Sequence, residues 1–333
     1  MINKLVIRVF EWVLVLLITS FLFWFVLTQP ILSAGNNVRF QKGDAALLKK
    51  QIIKFCSIKR MPEFDNLRPP ARYLHKQFKQ YGKVSYQPYE ASIGQVNNVV
   101  ARFGPDTKKV IVIGAHYDSH EGLTGANDNA SGVAVLLELA RLLSVQDNLP
   151  MRIELVAYAL AEGRYYGTED MGSFYHAKQL VKQGKTVTMM LSLDSVGYYS
   201  SEDDSQKYPY SFMHYFYPGQ GDFIRISGRL QDISEVRTVK KSFLKIEGLR
   251  TYSVNIPEVI SFIKGSDNVN YWIQGFPAVL ISDTAEQRYN AHHTKHDVPE
   301  NLNYEKMALI VQAVGEVIIQ QSEAYLSAER KKQ

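Results

Sequence analysis

Val110-Ile-Val-Ile-Gly-Ala115 is a charge-free, β-branched run that stops abruptly at His116-Tyr-Asp118. Such a run has nothing to show to water, so it belongs in the middle of a parallel sheet covered on both faces. Soon after it, Gly125-Ala-Asn-Asp-Asn-Ala-Ser-Gly132 opens an apolar helical stretch. A His and an Asp where a buried strand ends, with another Asp at the mouth of the next helix, is a way to hold a metal ion. Alternating strand and helix patterns continue to the C-terminus, which predicts one α/β domain with a mainly parallel sheet.

The periodicity places helices at about 45–56, 71–81, 130–143, 169–183, 233–243 and 304–325. Strands are expected at 84–89, 98–103, 109–115, 152–160, 186–193, 223–227 and 277–283. The Tyr-, Ser- and Pro-rich stretch 200–222 is too long for a simple connection and reads as a lid or cleft wall. Tyr198, Tyr199 and the aromatic segment 208–217 are candidates for that wall.

Residues 1–34 differ from the rest. Lys4 and Arg8 precede a stretch over residues 9–27 that is apolar apart from Glu11 near its start, where the headgroups would lie, and that carries Trp12 and Trp24 near its ends. A bilayer-spanning helix needs roughly 20 apolar residues, and basic residues on its N-terminal flank hold that end in the cytoplasm. The expectation is an N-terminal transmembrane helix with the domain over 35–333 on the extracytoplasmic side. A signal peptide cleaved after Leu32-Ser-Ala34 is the alternative. Lysines are scattered, without a basic run interleaved with aromatics, which argues against nucleic-acid binding at the net charge of +5. Cys56 is the one cysteine, so a metal site must use His, Asp and Glu, a set that suits zinc.

His116, Asp128, Glu162, Asp194 and His293 all stand where strands or their loops end, which is where sites form in open α/β sheets. Two His and three carboxylates match a pair of zinc ions with one shared carboxylate. His116-Tyr-Asp118, Asn127-Asp-Asn129, Glu162 with Gly167-Thr-Glu-Asp-Met-Gly-Ser173, Leu193-Asp-Ser-Val-Gly197 and His293-Thr-Lys-His-Asp297 together resemble the co-catalytic di-zinc aminopeptidases. The same family contains the glutaminyl cyclases. The resemblance spans about residues 95–325 and implies a mixed, mostly parallel sheet flanked by helices. It also implies that His116 and Asp194 bind one zinc, Glu162 and His293 the other, and Asp128 bridges them. Asp118 would orient His116, and the Asp128–Asn129 peptide would be cis.

The family's general base is a Glu just before the ligand Glu, and here that position holds Ala161. A methyl group cannot accept a proton, and a positioned acid or base is worth about 10²–10⁴-fold in rate. An intact metal site with little peptidase turnover is therefore expected. Either an active enzyme has been substituted at its base, which best explains why every ligand remains, or the chain is a natural pseudoenzyme that binds peptide N-termini. Ser266-Asp-Asn268 also departs from the family's Ser-Asp-His. Lys264, just before it, is a candidate oxyanion donor. The functions in competition are a membrane-anchored aminopeptidase acting on peptide or protein N-termini, a single-zinc glutaminyl cyclase-like acyltransferase, and a non-catalytic receptor.

Overall fold

The structure is a computed structural model and describes residues 2–35, 37–63, 66–258 and 266–332. Helix α1 (Ile2–Thr28) is followed by α2 (Ala45–Cys56) and α3 (Arg68–Phe78). Asp44 caps α2 by accepting from the amides of Ala46 and Leu47. Helix α3 starts three residues earlier than the periodicity suggests, because a proline pair fits a first turn whose amides need no partner.

Eight strands form one sheet: β1 (Lys83–Ala91), β2 (Gly94–Phe103), β3 (Lys109–His116), β4 (Arg152–Tyr158), β5 (Thr186–Leu193), β6 (Ile224–Arg229), β7 (Thr251–Ile256) and β8 (Ala278–Ser282). The order is β1-β2-β4-β3-β5-β8-β6-β7. The four central strands β4, β3, β5 and β8 are mutually parallel. A β1–β2 hairpin pairs antiparallel to β4, and β6 antiparallel to β8, so the sheet is mixed. The remaining helices are α4 (Gly132–Leu143), α5 (Gly172–Lys182), α6 (Ile233–Phe243), α7 (Asn268–Ile273) and α8 (Tyr304–Arg330).

Side chains alternate across a strand, and β3 shows the result. Ile111 and Ile113 enter the large core under α2, α3, α4, α6 and α8, while Val110 and Val112 enter the opposite core with α5 and α7. Both faces are covered, which is why β3 is apolar without alternation. The backbone packs closely here: a Cβ on Gly114 would lie 2.1 Å from the Tyr158 ring.

Two elements lie outside the expected set, β7 and α7. The stretch 200–222 holds one short 3-10 turn, Ser211–Tyr215, and packs beside α1.

Candidate metal centre

Because β4, β3, β5 and β8 run parallel, their carboxyl ends share one edge of the sheet. His116 closes β3, Ala161 and Glu162 follow β4, Asp194 follows β5, and Asp283 follows β8. Each chain turns sharply there: Leu160 has φ of 59°, Ser195 of 51° and Thr284 of 82°. These left-handed turns swing the adjacent residues off the strands and over the sheet edge.

The five expected ligands come together. The two oxygens of Asp128 face different histidines: Oδ1 lies 3.2 Å from His116 Nε2, and Oδ2 lies 2.9 Å from His293 Nε2. On one side Asp194 Oδ2 is 3.9 Å from His116 Nε2. On the other, Glu162 Oε2 is 3.6 Å from His293 Nε2. Three donor groups can converge on an ion as His116, Asp128 and Asp194, and others gather around His293 with Asp128 or Glu162. The Asp128–Asn129 peptide is cis.

The loop sequence Asn127-Asp-Asn129 is explained by its bonds. Asn127 donates to Asp283 Oδ2 (2.9 Å) and accepts from the Gly197 amide (2.8 Å). Asn129 donates to the Leu193 carbonyl (2.8 Å) and accepts from the Gly132 amide (3.1 Å). The two amides therefore tie the loop to the ends of β5 and β8, with Asp128 presented between them. Asp297 accepts from the amides of Asn127 (2.8 Å) and Asp128 (3.1 Å). Asp118 Oδ1 stands 3.4 Å from His116 Nδ1, while its Oδ2 accepts from the amides of Ala161 and Glu162, both at 2.9 Å. Asp118 thus lies beside a histidine and also holds the loop that carries the next donor.

The electrostatics call for a cation. Asp118, Asp128, Glu162 and Asp267 are buried within this small volume, with Asp194 at its wall. Burial, and then the charge of Asp128, push the Asp194 carboxyl up to about 8. Burial also pushes Asp267 up to about 6. Asp128 resists burial through hydrogen bonds with His116 and His293, which hold it well below the usual carboxylate range. Burial works against a charged His293, but its bonds to Asp128 and Glu162 outweigh that and lift it to about 10. Like charges crowded in a dry site are expensive unless a counter-ion joins them. Carboxylate and imidazole donors without a thiolate fit zinc or another divalent ion.

A cavity of about 340 Å³ opens over the cluster. Ala161 lines it, as do His116, Asp128, Glu162, Asp194 and His293. Lys264 falls outside the described residues. Tyr198 instead stacks on Tyr289 at 4.2 Å, the half-buried Tyr199 donates to the Val196 carbonyl (3.3 Å), and none of the described lining residues comes from 200–222. The aromatic segment is therefore not a wall of this cavity, because it lies against α1.

The sequence reading missed three cavity residues. His120 and His292 sandwich the His293 ring, at 4.0 Å and 3.9 Å between ring centres. His120 Nδ1 also stands 3.4 Å from Glu162 Oε2. His120 lies almost parallel to His293 (7°), so their in-plane lone pairs run side by side, and the stack braces the donor ring. The nearby His-His pair in the sequence was a signal for His292; nothing marked His120. Arg225, on β6, brings a buried cation to the wall, and burial pulls its pKa down to about 10.

An uncharacterized Escherichia coli protein, YfbL, is 44% identical over 260 residues, covering 75% of this chain and 79% of its own. A protein named leucine aminopeptidase 1 from Emericella nidulans is 27% identical over 234 residues, or 66% of this chain. The chain spans about half of that relative's length (54%). The structure of Porphyromonas gingivalis glutaminyl cyclase superposes with a TM-score of 0.66 at 20% identity, over 84% of this chain and 99% of the cyclase. Residues 98–318 match the sequence profile of Peptidase family M28, and the chain belongs to that family.

Proposed function

We propose that the chain is a zinc-dependent exopeptidase scaffold of the aminopeptidase type, anchored by α1, whose turnover is limited by Ala161. One observation carries the reading: a single carboxylate, Asp128, is shared between two histidines that each have a further carboxylate beside them. That is the donor arrangement for two ions with one bridge. His116 and Asp194 would hold one, Glu162 and His293 the other. When bound, the ions would polarise a scissile carbonyl and make water a better nucleophile.

The chain's own residues do the rest. The acidic cluster favours a free α-ammonium group, so a peptide N-terminus would be drawn to the cavity. Asp118 keeps the His116 ring in place and ties down the Ala161–Glu162 backbone. Ala161 faces the cavity where a proton acceptor would serve the attacking water. Its methyl group offers none, so ligand binding is retained and hydrolysis falls.

The test restores the acceptor. Ala161→Glu should raise hydrolysis of aminoacyl-nitroanilides by about 10²–10⁴-fold. If it hydrolyses no N-terminal residue, the active-parent reading fails. Metal analysis of the purified chain should find two zinc ions per molecule. One ion together with cyclisation of N-terminal glutamine would favour the acyltransferase reading, and no ion at all would remove the site.

A further inference from the structure

The aromatic stretch 208–217 took no part in the cavity, and its placement suggests another use. Helix α1 has 23 residues, Val6–Thr28, of membrane-spanning character, and it does not end in a loose linker. Leu27 is buried in the same apolar cluster as Val254 and Ile256 of β7 and Met213. Lys240 Nζ donates to the carbonyls of Thr28 (2.6 Å) and Gln29 (3.1 Å), and Ser253 Oγ donates to the same Thr28 carbonyl (2.7 Å). The end of the helix is therefore docked on the domain, with its last carbonyls satisfied by the domain's own donors.

The docking fixes the height of the neighbouring stretch. Twenty-three residues rise about 34 Å at ~1.5 Å each, slightly more than a hydrocarbon core of ~30 Å. Phe23 stands about 7 Å short of the helix end by the same rise, about 5 Å inside the edge of a ~30 Å core on which the helix is centred. Its ring lies 6.2 Å from Phe212 and 6.3 Å from Phe216. The stretch is held in that position by Tyr217, whose hydroxyl donates to the Ser253 carbonyl at 2.8 Å, and by Tyr208, which donates to Pro218 at 2.7 Å. Tyr210, Phe212 and Tyr215 are exposed, Tyr215 by 87%. Across the helix end, Arg237 lies over the Phe25 ring and reaches the Pro30 carbonyl, with Lys241 beside it. Exposed aromatics next to a helix end, with basic side chains nearby, match what a membrane interface accepts.

We propose that residues 210–215 are a second membrane contact, seated at the boundary between acyl chains and headgroups of the bilayer that α1 crosses. Their partner is phospholipid, not the substrate. The proposal rests on the anchor reading of α1, and the two can be tested apart. The full chain, with Cys56→Ser, is reconstituted in vesicles of phosphatidylcholine and phosphatidylglycerol containing a headgroup-spin-labelled lipid. A single bimane is attached at Tyr215→Cys, at Phe21→Cys in α1, or at Val145→Cys, which is 69% exposed and belongs to neither element. Tyr215 is so exposed that its replacement removes little packing. The expected result is loss of most of the bimane signal at 215, well beyond the loss at 145. Quenching at 215 no greater than at 145, with 21 quenched, overturns the contact and leaves the anchor standing. If 21 is not quenched and the intact mass lacks residues 1–34, the anchor reading falls, and the contact with it.

Discussion

Asp118 shows how one carboxylate serves two elements. It lies 3.4 Å from His116 Nδ1 at the end of β3 and accepts two amides from the loop after β4. Asp118→Asn keeps the shape but loses charge and one acceptor. Partners that orient metal ligands typically carry 10–100-fold in affinity. The variant is therefore expected to bind zinc about 10–100-fold more weakly, read by competition with a chelating dye. The five donors were legible as a set, because His116, Glu162 and Asp194 come at the ends of apolar strands and the loops carrying Asp128 and His293 complete the motifs of the family the chain resembles. His120 and Arg225 were not, because their approach depends on how far apart strands lie in the sheet.

At the scale of elements, the loop between β3 and α4 is set by a residue far earlier in sequence. Arg60 is buried, and its guanidinium donates to the carbonyls of Tyr117 (3.2 Å), Asp118 (3.4 Å), Thr124 and Gly125 (2.8 Å). Each buried carbonyl left without a donor costs about 1–3 kcal/mol. Arg60→Met is expected to destabilise the chain by at least about 2 kcal/mol in urea unfolding, and to weaken metal binding because that loop joins His116 to Asp128. The turn after β8 stores strain of the opposite kind: Ala285 has φ of 45°. A left-handed residue with a Cβ costs about 1–2 kcal/mol, so Ala285→Gly should gain up to about 1 kcal/mol in the same assay. The missed elements have physical causes. Strand β7 alternates Tyr252, Val254 and Ile256 with polar residues, but with only six residues its apolar period is too short to stand out. Helix α7 is too short for a helical period to show.

Across the whole molecule, stability depends on a buried network away from the cavity. Glu154 pairs with His176 (3.0 Å), Arg102 (3.0 Å) and Arg152 (2.8 Å). Burial alone would raise its pKa, but His176 and then the two arginines outweigh that and bring it to about 2 from an ordinary 4.5. A folded pKa below the unfolded one gives stability that is complete above about 4.5 and lost as pH falls through about 2. The shift corresponds to about 3 kcal/mol. Glu154→Gln should therefore unfold more easily at neutral pH, and its deficit should shrink between about pH 5 and 2, followed by acid titration of both proteins. The overall architecture was readable because a buried parallel strand leaves few alternatives. The relation of α1 to the domain was not, since its contacts join residues more than two hundred positions apart.

That docking limits how the molecule can move. A protein on a flexible leash tumbles and samples every direction. Here the Lys240 and Ser253 bonds clasp the last turn of α1, and the chain has no slack at that point. With α1 in a bilayer, these bonds would hold the domain close to the lipid at one height. Substrates would then be sorted by reach as well as by fit, with those presented at one height above the lipid met again and again.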